Sequence, residues 1–200
     1  INQYKKVSHE IGPTLLVEIQ GMPLSVKEQS EIFRDIAEAN NILKFQWSDR
    51  SEEIEVLWSA RHDAYYAALA LAPGKKAFTT DICVPISNLT DCIIETKKDI
   101  EQSNIIAPIV GHVGDGNFHL IMLLDPENKK EVSEAKHLND KLVNRALKME
   151  GTSTGEHGIG IGKKEFLKTE QGLSVEIMSQ IKKAIDPKNI MNPGKIFDIN

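Results

Sequence analysis

Apolar residues recur along the chain in two periods. Alternating or near-continuous runs at 14–20 (TLLVEIQ), 42–47 (ILKFQW) and 77–85 (AFTTDICVP), and a pair at 107–113 and 118–124, predict strands. Elsewhere the spacing is helical. Ser25-Val26-Lys27-Glu28 has the form of a capping box and predicts a helix to about residue 40, burying Ile32, Phe33, Ile36 and Ala37. A longer helix follows Ser51, with the stripe Ile54, Leu57, Trp58, Arg61, Tyr65 and Ala68. Asn88 is a candidate cap for a helix over about 89–103. A helix over about 127–149 carries Val132, Ala135, Leu138, Leu142, Val143 and Ala146 on one face, and shorter ones are expected at 163–169 and 173–185. Helix–strand alternation ahead of an antiparallel hairpin predicts an α+β fold. Its expected form is a ferredoxin-like antiparallel sheet with helices on one face, plus C-terminal helices. The polar residues 1–13 read as a connector to a single domain over 14–200.

Composition narrows the partners. A net charge of −5 argues against nucleic acid and anionic membranes, which both need basic surface. No apolar run approaches the roughly 20 residues that span a bilayer. No secretory leader is visible. Cys83 and Cys92 are too far apart for a CxxC site and read as reduced, packing thiols. The chain opens at Ile1 rather than Met and is expected to be a piece of a longer protein.

The hairpin carries the first candidate chemistry. Asp115-Gly116 within GHVGDGNFH (111–119) predicts a two-residue type I′ turn. That turn sets Val113 against Phe118 and His112 against His119. Cross-strand partners hold their Cβ atoms roughly 4.5–5.5 Å apart. The two imidazoles then form either a buried hydrogen-bonded pair or a metal chelate that needs further ligands. Arg61 occupies a stripe position where an aliphatic residue is expected. A guanidinium there needs an anion: a structural ion pair, or a bound carboxylate matched to its bidentate fork; otherwise it reaches water at the stripe's edge. Asp81 either pairs with a cation or faces solvent. The run 151–162 (GTSTGEHGIGIG) is rich in glycine but lacks both GxxxxGK[ST] and GxGxxG. It reads as a polar surface loop, or as backbone able to press close to a ligand with Glu156 and His157 side by side. His137 reads as an edge histidine.

Five stretches together resemble the C-terminal domain of FAD-linked oxidases: LWSARHDAYYAALAL (57–71), TDICVPIS (80–87), GHVGDGNFH (111–119), TGEHGIGIGK (154–163) and DPKNIMNPGKIF (186–197). Within that family they look most like the D-lactate dehydrogenases that pass electrons to cytochrome c or a related acceptor such as a quinone. The glycolate oxidase flavin subunit and D-2-hydroxyglutarate dehydrogenase are relatives. The resemblance implies an N-terminal FAD-binding domain that this chain lacks. It assigns His112, His119 and Glu156 to a divalent metal (zinc, manganese or iron), His157 to the general base, Arg61 to the substrate carboxylate, and Asn192, with Pro193, to the neighbourhood of the flavin. Hydroxyglutarate enzymes carry Asn where this chain has Ile121 and Lys where it has Thr79. Losing both partners for a second carboxylate favours a small monocarboxylate, D-lactate, as the 2-hydroxy acid substrate. The expected location is cytoplasmic or mitochondrial, peripheral to a membrane at most, and the fragment alone is expected to be inactive. A non-catalytic metal- or ligand-binding module and a stand-alone metal hydrolase are the alternatives, since a fold does not fix a function.

Overall fold

The structure, a computed structural model, describes residues 1–6 and 10–199. Residues 7–9 of the predicted connector and Asn200 at the end of the predicted domain lie outside the described residues. The chain divides into two units, Ile1–Ala67 and Ala68–Asn200.

The first unit holds α1 (Asn2–Lys5), α2 (Pro23–Ala39) and α3 (Ser51–His62), and α4 (Ala64–Leu69) leads out of it. The helix predicted after Ser51 is thus interrupted at Asp63. No capping box forms at Ser25. Pro23 takes the first helical position, where its missing N–H costs nothing, and Ser25 Oγ instead accepts from Gln29 Nε2 at 2.8 Å. The strands expected at 14–20 and 42–47 do not form. A strand needs a ladder for its N–H and C=O groups, and neither stretch finds one among the described residues.

The second unit contains β1 (Lys76–Thr79), β2 (Ile82–Cys83), α5 (Ile86–Glu101), β3 (Ile109–His112), β4 (Asn117–Leu124), α6 (Lys129–Lys148), α7 (Lys164–Gln171) and α8 (Ser174–Ile185). All eight residues of β4 are buried, and every other strand pairs with it, antiparallel. β1 and β2 lie along one side in a single register, with Thr79 opposite Ile121 and Ile82 opposite Phe118. The two residues between them, Thr80 and Asp81, therefore face Leu120 and His119. Thr80 N donates to Leu120 O at 3.0 Å, and Leu120 N donates to Thr80 Oγ1 at 2.9 Å. Beyond β2, Cys83 bridges to Thr152. The order is therefore β-α-β-β-α-β, the ferredoxin-like arrangement, with its last strand reduced to one bridge.

The pleat of β4 separates two environments. Phe118, Leu120, Met122 and Leu124 join Leu89, Cys92, Leu138, Leu142 and Val143 in the main core, so α5 and α6 cover that face. Full burial of each such side chain contributes about 1.5–3 kcal/mol. His119, Ile121 and Leu123 point the other way, where Ala68, Ala77 and Val110 pack on the two aliphatic residues. α5 starts after Pro85 rather than at an Asn88 cap; the Asn88 side chain donates to Met149 O at 2.9 Å, joining the start of α5 to the end of α6.

The β3–β4 connection is not the two-residue turn that Asp115-Gly116 predicts. Residues 113–115 form a single 3₁₀ turn, and Gly116 alone has positive φ, 78°. Type I′ needs two such residues, whereas a four-residue loop built on a type I turn needs one. A Cβ on Gly116 would also stand 2.0 Å from Val84 O. The register moves by two residues as a result. His112 pairs with Asn117 and His119 with Val110. The parity of the pleat survives, so both histidines keep one face of the sheet, in diagonal rather than opposite positions.

Candidate metal and active site

His119 is 6% exposed, and its Nδ1 lies 2.9 Å from Thr80 O. A carbonyl only accepts, so Nδ1 carries a proton there and Nε2 is left as the second ring position. Nε2 stands 3.0 Å from Glu156 Oε1. Two acceptors face each other at that distance only with a proton or a cation between them. Ligands at about 2.0–2.2 Å from one zinc-sized ion are about this far apart. His157 Nε2 is 3.5 Å from the same Glu156 oxygen, and the His157 ring meets the His119 ring edge-on with centroids 5.4 Å apart.

Asp81, His119 and His157 each place a potential ligand atom within 4.8 Å of the others. The oxygens of Asp81 are already occupied, however. Oδ1 accepts from Asn117 Nδ2 at 3.0 Å, and Oδ2 accepts from Thr154 Oγ1 at 2.8 Å and from His157 N at 3.0 Å. Glu156 N reaches both oxygens at 3.2 Å, and Lys163 Nζ is 3.2 Å from Oδ2. Burial alone would raise the pKa of this carboxyl. The donors outweigh it, the amide of His157 first, then Thr154, Asn117 and the Lys163 charge, and hold the group well below the usual carboxylate range. Asp81 is thus an anchor for the 154–163 loop, and His119, Glu156 and His157 are the clustered side chains whose lone pairs it leaves open.

The loop is fixed from its start. Thr152 exchanges both backbone hydrogen bonds with Cys83, at 2.8 and 3.3 Å. Glu170 on α7 accepts from Ser153 N at 2.9 Å, Ser153 Oγ at 2.7 Å and Thr152 Oγ1 at 2.7 Å. Gly155 lies against the Asn117–Asp81 pair; a Cβ there would stand 2.0 Å from Asn117 Nδ2. The glycine follows from that close approach.

Of the residues singled out in the sequence, the structure brings His119, Glu156 and His157 together. His112 ends β3 on the same sheet face and is exposed. Arg61 is half-buried in the last turn of α3, in the first unit. Asn192 is exposed, with φ 48°, after a turn in which Asp186 accepts from Ile190 N and Met191 N at 3.1 and 2.9 Å. Asp81, Asn117 and Lys163 escaped sequence reasoning as site residues. An acid in the middle of an apolar strand was the available signal for Asp81.

Residues 1–196 match the family described as FAD linked oxidases, C-terminal domain. The chain belongs to that family. This FAD-linked oxidase domain is 47% identical over 199 residues to the probable mitochondrial D-lactate dehydrogenase of Danio rerio, covering 99% of the chain and 40% of that relative. It is 41% identical over 187 residues to the mitochondrial D-lactate dehydrogenase (cytochrome) of Arabidopsis thaliana, covering 93% of the chain and 33% of that relative. The domain therefore spans 40% or less of the length of these two relatives. Among solved structures, the 4-ethylphenol oxidase of Gulosibacter chungangensis in its isoeugenol complex shares the fold, with a TM-score of 0.60 at 18% identity over 90% of this chain and 38% of that one. Among the described residues no helix is long and apolar enough to cross a membrane.

Proposed function

We propose that this domain is the substrate- and metal-binding part of an FAD-dependent D-2-hydroxy acid dehydrogenase that oxidises D-lactate to pyruvate. The observation that carries the reading is the 3.0 Å approach of His119 Nε2 to Glu156 Oε1, with Nδ1 of the same ring held by Thr80 O. A ring nitrogen tied to a backbone carbonyl is the usual support of a metal-ligating histidine. His119 and Glu156 hold the ion, and His112 joins them from the same face of the sheet. A divalent cation, when bound, lowers the pKa of the substrate's α-hydroxyl.

Arg61 takes the substrate carboxylate in its planar fork and sets the orientation. His157, beside Glu156, accepts the hydroxyl proton on a ring nitrogen. FAD, held mainly by the part of the protein outside this chain with Asn192 near it, supplies the two-electron sink for the hydride from Cα. The electrons then pass to a cytochrome c or quinone acceptor, and the relatives' descriptions favour a mitochondrial setting.

The sheet register supports a monocarboxylate. The two positions that depart from the hydroxyglutarate pattern, Thr79 and Ile121, are direct cross-strand partners, and Ile121 lies two residues from His119 on the same face. Neither offers a cation or an amide to a second carboxylate. The test is to assay the complete protein with D-lactate, glycolate and D-2-hydroxyglutarate and a dye acceptor, before and after chelation. D-lactate is expected to give the highest kcat/KM, with activity lost on chelation and restored by a divalent cation. Undiminished turnover after all metal is removed would end the metal role; a preference for hydroxyglutarate would end the substrate assignment.

A further inference from the structure

We infer that Asp81 is a positioning residue of this site, acting through the main chain of Glu156 and His157 to set where their side chains stand against His119. The inference rests on the reading above, in which those three side chains do the chemistry. Four observations converge on it. Asp81 sits in the interruption between β1 and β2, opposite His119 in the register, so the ring and the carboxylate share one frame. Its side chain, 2% exposed, accepts from two successive amides, Glu156 N and His157 N. Holding both fixes the two peptide planes that flank Glu156, and with them the direction of its Cα–Cβ bond and the place from which the His157 side chain departs. The far end of the loop returns to the same residue, since Lys163 Nζ donates to Asp81 O at 3.0 Å and lies 3.2 Å from Oδ2. Finally, the backbone at Gly155 packs where any Cβ would displace the Asn117–Asp81 pair.

A direct ligand role for Asp81 fits less well. A carboxylate offers about four lone-pair sites. Asn117, Thr154, the two amides and Lys163 already claim them. Asparagine at this position keeps the shape but turns one acceptor into a donor, which cannot satisfy the amides and the ammonium together.

The experiment uses the complete protein and two readouts. Residue-resolved hydrogen exchange, without added metal, is expected to show Asp81→Asn speeding exchange at the amides of Glu156 and His157 by about tenfold or more, as for losing a hydrogen bond to a charged group. The amides of Ile121 and Leu123 are expected to exchange as in the parent. Zinc titration then closes a double-mutant cycle. Asp81→Asn is expected to weaken zinc binding by about 10–100-fold in the parent, the range for a residue supporting a ligand. In a Glu156→Gln background it is expected to add less than about threefold, because the ligand it positions is already gone. Equal weakening in both backgrounds would overturn the inference, as would unchanged exchange at 156 and 157. Should Asp81→Asn not fold, Lys163→Met must give the same selective exchange. A parent protein that binds no zinc would count against the metal site itself, and the exchange result would still decide what Asp81 does.

Discussion

Gly155 and Gly114 lie in neighbouring motifs but tolerate very different changes. A Cβ at Gly155 would sit 2.0 Å from Asn117 Nδ2 and 2.9 Å from Asp81 Oδ1, whereas nothing lies within 4 Å of one at Gly114. Gly155→Ala is therefore expected to cost about 1–3 kcal/mol, as overpacking does, and to weaken zinc binding. Gly114→Ala is expected to change neither by more than about 0.5 kcal/mol. Thermal melts and zinc titrations of both variants check this. At this scale the sequence was half legible. His119, Glu156 and His157 stand out as residue types that bind metals or move protons. Asp81 stands out only as an acid within an apolar strand; its role does not follow from that, because it comes from facing His119 across the sheet and from the 154–163 loop over its carboxylate, and both are tertiary facts.

The link between α7 and the loop runs through Glu170. Burial alone would raise its pKa, but the amide and hydroxyl of Ser153 and the hydroxyl of Thr152 reverse this and hold it below the ordinary glutamate value. A carboxyl with a depressed folded pKa stabilises the native state above its unfolded pKa, about 4.3, and loses that contribution as pH falls through the folded value. Glu170→Gln is thus expected to cost on the order of 1–2 kcal/mol at pH 7 and much less near pH 3. Melts of parent and variant at pH 7, 5 and 3 are expected to converge as the pH falls. Helices were legible to within a few residues: the stripes near 89–103, 127–149, 163–169 and 173–185 become α5, α6, α7 and α8. Their caps were less so. Asn88 has the right chemistry for a cap but lies inside the first turn of α5, and its side-chain amide donates to Met149 O instead.

Across the molecule, the predicted class holds, with its strands reassigned. The ferredoxin-like order is drawn from residues 76–152 and uses neither 14–20 nor 42–47. Periodicity marks a stretch able to form a strand; whether it does depends on a partner that no local pattern specifies. The hairpin was legible as a hairpin, but its register was not, because one glycine with positive φ suits a longer loop than Asp115-Gly116 suggests.

The hub role of β4 also bears on how the chain acquires its chemistry. The β3–β4 pairing is local, whereas the Cys83–Thr152 bridge and the contacts of Asp81 with 154–163 close spans of about 70 residues or more. Distant contacts of this kind form late in a folding reaction. On dilution from denaturant, helical ellipticity is therefore expected to recover before the capacity to bind zinc, and simultaneous recovery would contradict this order. For anyone preparing the domain from inclusion bodies, a native-looking circular dichroism spectrum would then mark a scaffold still waiting for its centre.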